Sequence, residues 1–224
     1  MKALKLLQKF SHYLEIKMLE FSPLCLQRLN KDDTFQVILD NVDSIHLDIM
    51  DGKFVPNTAF SVAEINELEC SVPKHVHIMS VDPLPYIEEL VNVDSISVHH
   101  EIGESSVLIN KIKGKNMQAG LVINPNTPVS SIFPYISLLD RVIIMAVEPG
   151  FSGQGYLPSA SQKIAELREF SSDIEIVVDG GMNDKTIEEV KKLGADSFVV
   201  CSVIAKSNDV KAKILELQAV WNNG

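Results

Sequence analysis

Short, almost wholly apolar runs alternate along this chain with longer stretches in which apolar residues return every three or four positions. The β-rich runs fall near residues 17–22, 44–49, 74–79, 94–99, 117–123, 140–146, 174–179 and 196–201, and a helix-patterned segment follows each. Runs such as SFVVC and RVIIM lack the polar alternation of a half-exposed strand. They suit a parallel sheet covered by helices outside and packed within. Asp82 before PLPYIEELV, with Pro83 in the first turn, predicts one helix start. Asn183 before DKTIEEVKKLGAD predicts another, in a helix that stops at Gly194.

Eight βα units in 224 residues predict a single-domain (β/α)8 barrel over residues 17–224, with no linker to cut at. Beyond that alternation no sequence repeat is detectable. The opening MKALKLLQKFSHYLEIK lacks the unbroken apolar core and cleavage site of a secretory signal, so residues 1–16 are read as a helical N-terminal extension covering the barrel or a partner. EPGFSGQGYLPS, residues 148–159, is too rich in glycine to be a mere connection and reads as a mobile lid.

Composition narrows the function classes. Hydrophobic residues make up 46% of the chain and charged ones 22%, a globular balance, and no apolar run approaches the roughly 20 residues that span a bilayer. A net charge of −10 argues against broad binding to nucleic acid or anionic membrane. Cys25, Cys70 and Cys201 show no paired spacing, and an odd count fits reduced thiols in a cytoplasm.

Two histidines and two aspartates stand at the ends of different predicted strands: His46 and Asp48 in HLDIMDGKFVPN, His77 in VHIM, and Asp179 in VVDGG. In a barrel of this kind, strand C-termini line the active site. Singly, each residue is equally a strand-end ion pair or a hydrogen-bonded core histidine. Together they crowd like charges at one barrel mouth unless a cation compensates them, which points to a divalent metal held by nitrogen and oxygen ligands: zinc, iron or manganese. His75 shares the face of His77 and could compete as a ligand. His99 and His100 end the fourth strand, where a structural role is the default.

A phosphate site is expected after strands seven and eight, at Asp179-Gly180-Gly181 and Cys201-Ser202-Val203. Glycine lets the backbone approach an anion closely, and a serine hydroxyl adds a donor, so no basic side chain is required.

In HLDIMDGKFVPN, VHIM, GLVINPNTP, VIIMAVEPGFSGQ and VVDGGM, taken in that order from about Met18 to the end, the chain resembles the ribulose-phosphate 3-epimerase family, including its allulose 6-phosphate branch. The resemblance implies one divalent metal per chain, held here by His46, Asp48, His77 and Asp179, with Asp48 and Asp179 as proton acceptor and donor. It implies that Met50, Met79 and Met145 line the site, and that substrate is touched by Ser22, His77, Gly150, Phe151, Ser152, Gly153, Gly180, Gly181, Cys201 and Ser202. Phe21 stands where the family usually has Pro, and Cys201 where it has Gly. His75 and Val177 replace acidic residues, at positions expected to orient metal ligands.

The expected reaction is inversion at a carbon beside a ketone. Two acid/base groups flank that carbon, and a cation stabilises the intervening enediolate as a Lewis acid. The methionines offer a polarizable, aprotic wall. The expected substrates are D-ribulose 5-phosphate and D-xylulose 5-phosphate. D-allulose 6-phosphate is the alternative, and a catalytically silent phosphosugar-binding barrel is a rival of another class. A homo-oligomer without nucleic-acid or membrane partners completes the expectation.

Overall fold

In a computed structural model, which describes residues 19–26, 29 and 32–223, eight parallel strands close into a barrel in sequence order. They are β1 (Leu19–Phe21), β2 (Ser44–Met50), β3 (Lys74–Met79), β4 (Ser95–His99), β5 (Gln118–Ile123), β6 (Arg141–Met145), β7 (Glu175–Asp179) and β8 (Ser197–Val200). Each agrees with the apolar run that predicts it to within a few residues. The helices are α1 (Asp33–Leu39), α2 (Val62–Glu67), α3 (Leu84–Glu89), α4 (Ser105–Gly114), α5 (Ser159–Phe170), α6 (Asp184–Lys192), α7 (Ser202–Ala205) and α8 (Val210–Asn223). The proposed extension, residues 1–16, lies outside the described residues. Among the described residues no helix is long and apolar enough to cross a membrane.

Two sequence expectations differ from the structure in detail. The segment after β5, Val129–Leu138, is a 3-10 helix containing Pro134, because proline lacks the N–H of an α-helical ladder and crowds the preceding turn. Asp82 does not cap α3; Pro83 takes the cap position with no side-chain bond. The Asp82 amide is instead engaged by Ser80 Oγ at 3.1 Å, which holds it in a local turn. Asn183 does cap α6, in a capping box with Thr186.

Strand alternation sorts the side chains into two environments. Phe21, Leu47, Ile78, Val98, Leu121, Ile144, Val178 and Phe198 pack outward in one cluster with helix residues such as Ile38, Leu108, Ile164 and Ile187. Val122, Ile143, Met145, Val177 and Val199 form a separate cluster. Facing them inside the barrel are Glu20, His46, His75, Arg141 and Glu175, linked to one another by hydrogen bonds. The barrel interior is thus polar toward β1–β4, while on the β5–β8 side an apolar layer separates Arg141 and Glu175 below from Asp179 above.

Arg141 is fully buried, and its passage across the barrel requires a glycine next door. A Cβ at Gly120 would stand 2.2 Å from Ser97 Oγ and 3.0 Å from Arg141 Cγ. Overpacking of this kind costs about 1–3 kcal/mol. Gly120→Ala is therefore expected to lower the melting temperature by roughly 2–12 °C. A calorimetric midpoint equal to that of the wild type would contradict this view of the interior.

Candidate functional site

Register brings the four singled-out residues together at the C-terminal end of the barrel. Asp48 on β2 lies beside His77 on β3, and Asp179 on β7 lies between Met145 and Val199. One ligand atom from each of His46, Asp48, His77 and Asp179 lies within 4.8 Å of the other three. His46 and His77 are 1% and 0% exposed, Asp48 is 3% exposed, and the Asp179 side chain is more open at 18%.

The geometry fits a metal ion. His46 Nε2 stands 3.5 Å from Asp48 Oδ1 and 3.8 Å from Asp179 Oδ2, and His77 Nδ1 stands 3.3 and 3.8 Å from the same two oxygens. Donor atoms bound at 2.0–2.2 Å to a tetrahedral ion are separated by roughly 3.3–3.6 Å. Both nitrogens are buried and have no hydrogen-bond partner among the described residues. Buried polar groups are rarely left so.

The far side of each imidazole is anchored. His99 Nδ1 faces Glu101 Oε2 at 3.2 Å, and its Nε2 faces His77 Nε2 at 2.9 Å. Burial pushes His99 down to about 4, so the ring is neutral at physiological pH. A carboxylate only accepts, which gives His99 its proton at Nδ1 and leaves its Nε2 to accept from His77 Nε2–H. The His77 Nδ1 lone pair is then directed at Asp48 and Asp179. His46 meets Glu20 Oε2 through Nδ1 at 3.2 Å.

Electrostatics divide the two aspartates. Burial alone would raise Asp48, but the His46 and His77 rings hold its carboxyl well below the usual range. Burial raises Asp179, and the Asp48 charge adds to this against the opposing pull of His46. For His46 the burial effect is overcome by Asp48, Glu20 and Asp179, which raise it well above the ordinary imidazole range. Ser22 donates to Asp48 Oδ2 at 2.8 Å, leaving Oδ1 toward the histidines. Ser22, expected at the substrate, thus also fixes one oxygen of Asp48.

Above the aspartates opens a cavity of about 280 Å³. Ser22, Asp48, Met50, Met79, Met145 and Asp179 line it on the barrel side. Gly150, Phe151, Ser152, Gly153, Gly180, Gly181, Cys201 and Ser202 line it on the loop side. His46 and His77 lie beneath its floor and do not line it; His77 reaches it only through the aspartates. His75 does not join the cluster, because its Nδ1 faces Glu20 Oε1 at 2.9 Å, deeper in the barrel.

The 148–159 segment forms one wall and is tied to neighbouring elements. Asn57 Nδ2 donates to the Gly150 carbonyl at 2.7 Å, and Leu157 N to Ala146 O at 2.8 Å. A Cβ at Gly181, where φ is +70°, would meet Tyr156 N at 2.5 Å and Tyr156 Cα at 2.6 Å. That glycine therefore lets the glycine-rich segment pack against the β7 loop, whatever it also does for an anion. Cys201 Sγ accepts the Cys25 N–H at 3.1 Å, so its sulfur is turned toward the loop after β1.

Sequence reasoning missed Glu20 and Arg141, and gave His99 only a structural role. Their signal was available as charged residues in otherwise apolar strands, an acid inside LEF and a base opening RVIIM.

Comparison with known proteins gives a consistent result. The model of the ribulose-phosphate 3 epimerase family matches residues 19–205. The ribulose-phosphate 3-epimerase of Bacillus subtilis is 36% identical over 186 residues, covering 79% of this chain and 86% of that protein. The Escherichia coli ribulose-phosphate 3-epimerase is 33% identical over 198 residues, with 84% and 88% covered. An orotidine 5'-phosphate decarboxylase from Pyrococcus horikoshii superposes with a TM-score of 0.63 over 92% of this chain and 99% of that one. At 15% identity that likeness shows the fold alone.

Proposed function

The chain belongs to the ribulose-phosphate 3 epimerase family, and from that premise we propose that it interconverts D-ribulose 5-phosphate and D-xylulose 5-phosphate by two-base proton transfer at C3. It is an epimerase, hence an isomerase. The observation that carries the reading is the convergence of His46, Asp48, His77 and Asp179, with two nitrogens that have no partner among the described residues, beneath a cavity walled by methionines and glycine-rich loops.

Inversion requires a proton to leave one face of C3 and another to arrive on the opposite face. Asp48 takes the first: the C3–H bond of the substrate breaks, the proton goes to the Asp48 carboxylate, and the electron pair enters the enediolate. Asp179 delivers the second proton to the other face, so the two carboxyl groups hold one proton between them before and after each turnover. Ser22 keeps Asp48 in place through Oδ2. A bound divalent ion supplies Lewis-acid stabilisation of the negative charge, worth several kcal/mol. Met50, Met79 and Met145 present no exchangeable proton to the intermediate, and residues 148–158 exclude water from it.

Phosphate recognition is assigned to the loop side. Amides that open a helix have no intrahelical partner, and α7 starts at Ser202 directly on the cavity. With Gly150 to Gly153 and Gly180-Gly181 they form the phosphate end of the pocket. Zinc, iron or manganese as the ion, and a homo-oligomer in the cytoplasm, belong to the same proposal.

Turnover of the metal-loaded protein on D-ribulose 5-phosphate and D-allulose 6-phosphate, measured side by side, tests the assignment. A larger kcat/KM for the pentulose is expected. A larger value for the hexulose overturns the substrate, and binding of both without turnover of either means a phosphosugar-binding barrel. Cys201→Gly should leave the pentulose KM close to wild type, because the sulfur is engaged by the Cys25 amide. A clear gain in kcat/KM would show instead that the side chain crowds the phosphate.

A further inference from the structure

Glu20 lies at the centre of the barrel, 1% exposed, and its carboxylate is shared among three donors. Oε1 accepts from Arg141 Nη2 at 2.6 Å and from His75 Nδ1 at 2.9 Å, while Oε2 faces His46 Nδ1 at 3.2 Å. It does not serve merely to neutralise the guanidinium. Arg141 already has a bidentate partner in Glu175, through Nε to Oε2 at 3.1 Å and Nη2 to Oε1 at 2.8 Å. A second carboxylate on the same buried cation adds desolvation cost without need. Its other oxygen is the one that meets His46.

Resting on the reading of His46 as a metal ligand, the geometry points to Glu20 as the positioning residue of that ligand. Arg141 and His75 are donors to Oε1, so Glu20 is held as a carboxylate with Oε2 free to accept only. A metal-binding His46 gives up its Nε2 proton and keeps the one at Nδ1, which turns the Nε2 lone pair toward the space it shares with Asp48 Oδ1 and Asp179 Oδ2. The same contact fixes the ring angle. Partners of this kind keep a metal-binding histidine in one tautomer and raise its basicity, and losing one typically weakens metal affinity about 10–100-fold. Position follows from register. Glu20 pairs with Ser44, and His46 is the next inward residue on β2, one level nearer the mouth.

Glu20→Gln is the discriminating change, because it keeps the volume and alters the donor pattern. With its carbonyl oxygen toward Arg141 and His75, the new amide presents N–H to His46 Nδ1, which favours the tautomer protonated at Nε2. The expected result is a dissociation constant for zinc, read by chelator competition, about 10–100-fold weaker than wild type, with far-UV circular dichroism and the metal-free melting temperature little changed. Glu20→Asp, which keeps the charge, should recover part of the affinity. A folded Glu20→Gln protein that binds zinc as tightly as wild type overturns this proposal alone. Wild type that takes up no zinc overturns it together with the metal reading. Should Glu20→Gln fail to fold, the His46 Nδ1 proton of the zinc-loaded wild type decides by NMR. A strongly deshielded, slowly exchanging resonance is expected, and one that exchanges like an open imidazole overturns the proposal.

Discussion

Asp48→Asn and Asp179→Asn are each expected to abolish epimerisation while leaving one face of C3 labile. General acid/base action by a positioned side chain is worth about 10²–10⁴-fold, and here the loss is compounded because one carboxylate cannot serve both faces. An amide oxygen can still approach the site, so metal content is measured alongside rate. In heavy water the variant that keeps the productive base should exchange the C3 proton only of the epimer whose proton faces it. Exchange without inversion is the signature of two bases. A single variant that still inverts at near wild-type rate would mean that the other carboxyl group is only a ligand, and the two-base account would fail.

His46→Ala or His77→Ala should strip the divalent ion. Each removes a nitrogen that is buried and has no hydrogen-bond partner among the described residues, and leaves Asp48 and Asp179 facing one another with less compensation. Elemental analysis should give about one ion per chain in wild type and far less in either variant. Binding also stabilises the fold, by about 2.7 kcal/mol when free ion is at 100 times its Kd. Chelation should therefore lower the melting temperature of wild type by roughly 5–11 °C. The same chelator should leave the His46→Ala midpoint unmoved. Full occupancy in both alanine variants would refute the ligand set.

Much of this architecture is legible in the chain because a parallel barrel writes two simple patterns. Outward strand positions must be apolar to meet helices, which makes runs such as RVIIM and SFVVC visible, and helix boundaries carry caps such as Asn183. His46, Asp48, His77 and Asp179 stand out because charged groups at strand ends are costly without a shared function. Glu20 and Arg141 are hidden for a different reason. Glu20 lies one inward position below Ser22 and Arg141 two below Met145, and their relation, 121 residues apart in sequence, exists only once β1 and β6 face each other across the closed barrel. Pro134 shows the converse case. A proline disfavours an α-helical ladder, yet the apolar periodicity around it conceals that the segment becomes a 3-10 helix. Gly181 was legible as a backbone position needing room, but the neighbour occupying that room is Tyr156 from the glycine-rich segment.

The most direct test of the central claim is the fate of hydrogen at C3 when fully metal-loaded wild type acts on D-ribulose 5-phosphate in heavy water. The D-xylulose 5-phosphate formed in the first turnovers should carry solvent deuterium at C3, because the proton removed by Asp48 and the one delivered by Asp179 are different. Protium retained at C3 of the product would contradict two bases, and a loaded protein that binds the sugar phosphate yet shows neither product nor exchange would contradict an epimerase altogether.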